Sequence, residues 1–122
     1  MTLKELYADI GGDYEQALRV LRMDKLLDKH IRKLINNTFI DQLSDAGKAM
    51  DPARLFDAAH AAKGVFGNLG LTALANAASD IAEEFRPGSP RRMSDDEVSD
   101  RLQTIADLYQ RTAEGIRRYE QA

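Results

Sequence analysis

The sequence contains no cysteine, which removes disulfides, thiol chemistry and cysteine-ligated zinc together. It has no apolar run near the roughly 20 residues needed to cross a bilayer. No secretory pattern opens it, because Met1-Thr2-Leu3-Lys4 leads directly into an amphipathic repeat; a cytoplasmic location without membrane association is expected. Positive charge is not in excess. Seventeen lysines and arginines face twenty acidic residues, for a net charge of −3, so nucleic acid is not expected as a partner. There is no Gly-x-x-x-x-Gly-Lys phosphate loop or other nucleotide-binding fingerprint, and no room beside the other elements for an ATP-binding domain. Strand-like alternation is absent throughout. Histidine occurs only twice, never as a pair at helical metal-ligand spacing, so no metal site and no cofactor of the chain's own are expected.

What is present is helical periodicity along a chain of 122 residues, the size of one domain, taken as residues 1–122. Its centre is the stretch from Ala58 to Gly70. On a helix advancing about 100° per residue, Leu55, Ala59, Ala62, Phe66 and Leu69 fall on one stripe, which is the expected buried face. His60 points about 140° away from that stripe, with Gly64 and Gly67 within roughly 40° of it. Glycine costs about 1 kcal/mol relative to alanine inside a helix. Two glycines beside an outward histidine therefore suggest that something large must approach the imidazole closely. Lys63, about 60° round from His60, would sit beside any anion that the ring receives. His30, within Lys29-His30-Ile31-Arg32-Lys33, has bulky cations around it and no glycines, and is expected to be incidental.

His60, Lys63, Gly64 and Gly70, with Asn68-Leu69 between, resemble the motif of the histidine-containing phosphotransfer (HPt) family: His, two residues, Lys-Gly, and a glycine six residues further on. The resemblance extends from about Gly11-Gly12-Asp13 to Phe85. It departs from the family at Ala62, where a larger aliphatic residue is common, and at Phe66, where a small one is common; both lie on the buried stripe and read as a compensating exchange of volume. The resemblance implies an all-α fold, an antiparallel four-helix bundle. It implies that His60 accepts a phosphoryl group from the aspartate of a receiver domain and passes it to another, with Lys63 and Gly64 supporting the phosphate and Gly67 and Asn68 in the docking surface. The partners would be response-regulator receivers, including those of hybrid sensor kinases. Magnesium is expected on the receiver, and the chain is expected to be a monomer.

Taken in order, Leu3, Leu6, Tyr7 and Ile10 form a short helix after Thr2, stopped by Gly11-Gly12 and expected to lie across one end of the fold. Asp13 caps a second short helix. A long helix is expected from Asp24 to Met50, with Asn36-Asn37-Thr38 marking a bend. Asp51-Pro52 starts the histidine helix, expected over about 52–69, and its short connection makes the two helices antiparallel neighbours. Leu71 to Phe85 carries the next apolar face, Arg86 to Arg92 is a loop, and Ser94 with Glu97 forms a capping box for the last helix. The architecture is thus a bundle of the four later helices with two short N-terminal ones added.

Two other readings use the same residues. One is an adaptor that binds a receiver without being phosphorylated. The other is the phospho-acceptor part of a chemotaxis-type kinase, from which the natural length of the gene would separate it, since a chain from Met1 to Ala122 is expected to carry no kinase domain. Ala61 follows His60 where the phospho-accepting helices of sensor kinases usually carry an acidic residue, so autophosphorylation from ATP is not expected. Asp57, three residues before His60, would orient the ring or repel phosphate, with Arg54 one turn back to neutralise it.

Overall fold

The computed structural model describes residues 1–121. Seven α-helices follow one another: α1 (Leu3–Ile10), α2 (Tyr14–Leu21), α3 (Asp24–Lys33), α4 (Phe39–Ala49), α5 (Pro52–Asn68), α6 (Thr72–Glu84) and α7 (Asp95–Gln121). No strand occurs among the described residues. The helices α4, α5, α6 and α7 pack around a common core, each against the next and α7 back against α4. This is the expected bundle, preceded by three short helices, α1, α2 and α3, where two were expected.

The expected single helix from Asp24 to Met50 is two helices. After Lys33 the chain tightens into a 3₁₀ turn, Leu34–Asn36, and restarts at Phe39. The reason is local. The side chain of Asn37 donates to the Leu34 carbonyl and accepts the Phe39 N–H at 2.9 Å, so one residue satisfies groups that a continuous helix would have paired within itself. The Tyr109 hydroxyl also donates to the Leu34 carbonyl, at 2.7 Å, and fixes the break against α7. α7 runs about 40 Å at 1.5 Å per residue. Its far half meets α3, where the Tyr119 hydroxyl and Arg32 both donate to Asp28.

The termini of the site helix follow from its sequence. The Asp51 carboxylate accepts the Arg54 N–H and Pro52 occupies the first turn, where its missing N–H costs nothing. At the other end Gly70 adopts φ 68°, and a Cβ there would collide with the carbonyl oxygen of Asp13. Two bonds lock this corner to the N-terminal helices. Asp13 N–H donates to the Gly70 carbonyl at 2.8 Å, and the buried Tyr7 hydroxyl donates to the Leu69 carbonyl at 2.6 Å. Burial raises the Tyr7 hydroxyl above its ordinary pKa and so keeps the donor protonated. α1 and α2 thereby close the end of the bundle where α5 turns into α6.

Small residues set the spacing along the site helix. Ala58, Ala59, Ala62, Ala78 and Ala82 are all buried, which lets the backbones of α5 and α6 approach closely. Phe66 is wholly buried beside them and meets Phe39 edge to face, with centroids 6.3 Å apart. In the loop from α6 to α7 one carboxylate gathers several bonds. Glu84, buried, accepts the N–H groups of Arg92 and Met93 at 2.9 and 2.8 Å and pairs with Arg91. Ser94 and Glu97 then form the expected reciprocal cap of α7.

Candidate functional site

α5 buries Leu55, Ala59, Ala62 and Phe66, and Leu69 just beyond its end is buried with them. Those residues fix the rotation of the helix, so His60 is exposed to solvent, as its place on the wheel requires. Ala61, Lys63, Gly64 and Asn68 are exposed around it and Gly67 is half-buried.

The glycines of this face differ from Gly70. A Cβ added at Gly64 or Gly67 would meet no side chain and no neighbouring element within 4 Å. The fold therefore makes no use of either missing side chain. Helical side chains lean toward the N-terminus, so a side chain at position 64 would lie back over residue 60, one turn earlier. Glycine at 64 keeps the C-terminal side of the imidazole bare. Lys63 forms no ion pair among the described residues, which leaves its ammonium available to an incoming anion.

One contact of the ring is absent from the periodicity argument. The ring of Phe56, four residues earlier, stacks on that of His60, with centroids 5.5 Å apart and planes 15° from parallel. The available signal was the i, i+4 relation itself, which places position 56 under the N-terminal side of the imidazole. Asp57, by contrast, makes no hydrogen bond to His60 and no ion pair with Arg54 among the described residues; both side chains line a shallow recess with Gln42 and Ala58. The carboxylate does not orient the ring here.

Beyond Gly64 the face continues into a groove of about 300 Å³ between α5, the 3₁₀ turn, the ends of α2 and α3 and the start of α4. Leu21, Phe39 and Val65 supply apolar walls, and Asn68 lies on its border together with His30 and Lys33. His30 belongs to this groove and is exposed. Among the described residues no three histidine, aspartate or glutamate side chains converge as metal ligands would.

The profile of the Hpt domain family matches residues 15–115, most of the chain. The chain belongs to the Hpt domain family. Hpt domains are histidine phosphocarriers of phosphorelays and interact with receiver domains; they are not ATP-binding kinases. Searches of curated proteins and of solved structures give no significant match. The helical bundle is the fold expected of an Hpt domain, and among the described residues no helix is long and apolar enough to cross a membrane.

Proposed function

We propose that residues 1–122 form a single Hpt domain that works as a phosphocarrier between two receiver domains, with His60 as the accepting residue. The observation that carries this reading is the bare helix face around an exposed imidazole, where two glycines leave space that the fold itself does not use. The neutral imidazole of a histidine offers a nucleophilic ring nitrogen. That nitrogen attacks the phosphorus of an aspartyl phosphate. The N–P bond forms as the P–O bond to the aspartate breaks, and the electron pair stays with the released carboxylate. The other ring nitrogen keeps its hydrogen and exchanges it with water. The reverse sequence delivers the phosphoryl group to a second aspartate.

Little else is asked of this chain. The receiver supplies magnesium and the charge stabilisation of the transferring group. Lys63 offsets phosphoryl charge, modestly, because both groups are open to solvent. The receiver docks over Gly64, Gly67 and Asn68, small or polar positions that let its active-site loops reach the ring. A shuttle must release each partner, so the interface belongs to the small class, below about 1,200 Å² in total. The chain acts as a cytoplasmic monomer and takes no phosphate from ATP directly.

The test is incubation with a panel of phosphorylated receivers. The wild type and His30→Gln should gain acid-labile, base-stable phosphate, and His60→Gln should gain none. A wild type that binds a receiver but is never labelled would instead be an adaptor.

A further inference from the structure

An exposed histidine on a helix ordinarily samples several rotamers. His60 makes no hydrogen bond among the described residues that would select one of them. The stack on Phe56 does. Two nearly parallel rings with centroids 5.5 Å apart form an offset stack, a favoured aromatic arrangement. Phe56 cannot follow the imidazole outward, because it is half-buried and packed against the hydrophobic core. The side of the ring that faces the start of α5 is thus covered by a fixed aromatic plate, while the side above Gly64 is open.

We infer that Phe56 is a positioning residue for phosphotransfer: it holds the imidazole in the orientation from which the accepting nitrogen meets the phosphorus in line. The inference rests on the reading of His60 as the accepting group. In-line displacement needs the reacting atoms about 3–3.5 Å apart and aligned, so each moment that the ring spends in another rotamer is lost to the reaction. Phe56 exchanges no proton and no electron; it acts through His60 alone. Asp57, three residues before His60, forms no hydrogen bond to the ring among the described residues and does not share this task.

The test uses the whole chain with a receiver that labels it. Phe56→Leu keeps an apolar side chain against the core and removes the stack, whereas Phe56→Tyr keeps an aromatic ring. At saturating receiver the single-turnover transfer rate should fall roughly two- to tenfold in Phe56→Leu, with the half-saturating receiver concentration unchanged and wild-type behaviour in Phe56→Tyr. Proton NMR of the free chain gives a second readout. The His60 ring protons should be displaced by the phenyl ring current in the wild type, and should return to the values of a solvated histidine in Phe56→Leu. Wild-type transfer by Phe56→Leu, or undisplaced ring protons in the wild type, would overturn the positioning role and leave the phosphocarrier reading intact. A wild type that takes no phosphoryl group on His60 would overturn the phosphocarrier reading, and the positioning role with it.

Discussion

Replacing Gly64 with alanine should make the protein more stable and less able to transfer phosphate. The added methyl meets no side chain and no neighbouring element within 4 Å, so nothing in the folded chain opposes it. Gly64 lies inside α5, four residues from its end, where alanine is favoured over glycine by about 0.5–1 kcal/mol. For a domain of this length that gain corresponds to a rise in melting temperature of about 2–5 °C. The methyl leans toward His60 and occupies space needed by the receiver, and a longer side chain should do so more completely. Gly64→Gln should keep the stability gain within the small difference in helix propensity, but crowd the interface by about 1–3 kcal/mol, which lowers the second-order rate constant of transfer roughly five- to hundredfold. The assay pairs a thermal melt followed by circular dichroism with transfer kinetics from one phosphorylated receiver. A fall in melting temperature for Gly64→Ala would show that the space is not empty. Unimpaired transfer by Gly64→Gln would show that the glycine does not serve receiver access.

The same substitution at Gly70 should have the opposite effect: positive φ and the Asp13 carbonyl make Gly70→Ala destabilising by about 2 kcal/mol or more, measurable by urea unfolding. Tyr7→Phe removes the donor to the buried Leu69 carbonyl and should cost about 1–3 kcal/mol in the same assay, with little change in transfer at temperatures where the chain is folded. Lys63→Ala and Asp57→Ala each alter a solvent-screened charge, so transfer should change by no more than about fivefold in either variant, and less at high salt; complete loss in Asp57→Ala would reveal an obligatory carboxylate. For Glu84, burial acts to raise the pKa, but the N–H groups of Met93 and Arg92 and the Arg91 guanidinium outweigh it and the net shift is downward. Its contribution to stability is therefore complete above the unfolded glutamate pKa of about 4.3 and is lost as pH falls through the lower folded value. Acid titration followed by hydrogen exchange at Arg92 and Met93 should show that loss, and Glu84→Gln should remove the pH dependence of this contribution.

The bundle was legible because its helices announce both their buried faces and their ends. Asp13, Asp51 with Pro52, and Ser94 with Glu97 each occupy the position that their chemistry favours, and the stripe from Leu55 to Leu69 sets the rotation of α5 well enough to turn His60 outward. The division between α3 and α4 was only half legible. Weak helix formers marked Asn36 to Thr38, and Asn37 makes the break locally, but the bond that fixes it against α7 comes from Tyr109, 75 positions away from Leu34 in the chain, and no local pattern carries that partner. The glycines illustrate the same limit. Gly70 already fell just past the expected end of the histidine helix, but the Asp13 carbonyl that excludes a side chain there, and the open space at Gly64 and Gly67, come only from the neighbours brought by the fold. Phe56 sat between a buried position and an exposed one, so an apolar-stripe criterion assigned it no role, and its meaning emerged from the ring it touches. The groove that places His30 near Asn68 is assembled from segments far apart in sequence and was not readable from either residue's surroundings.

The central claim is that one side chain carries the phosphoryl group, and peptide mapping of the intact chain after reaction with a phosphorylated receiver measures this directly. Phosphate should be found on His60 alone, as an N-linked group lost in acid and retained in base. Its recovery on His30, on a carboxylate or hydroxyl side chain, or on no residue while the receiver's phosphate is spent, would contradict the account.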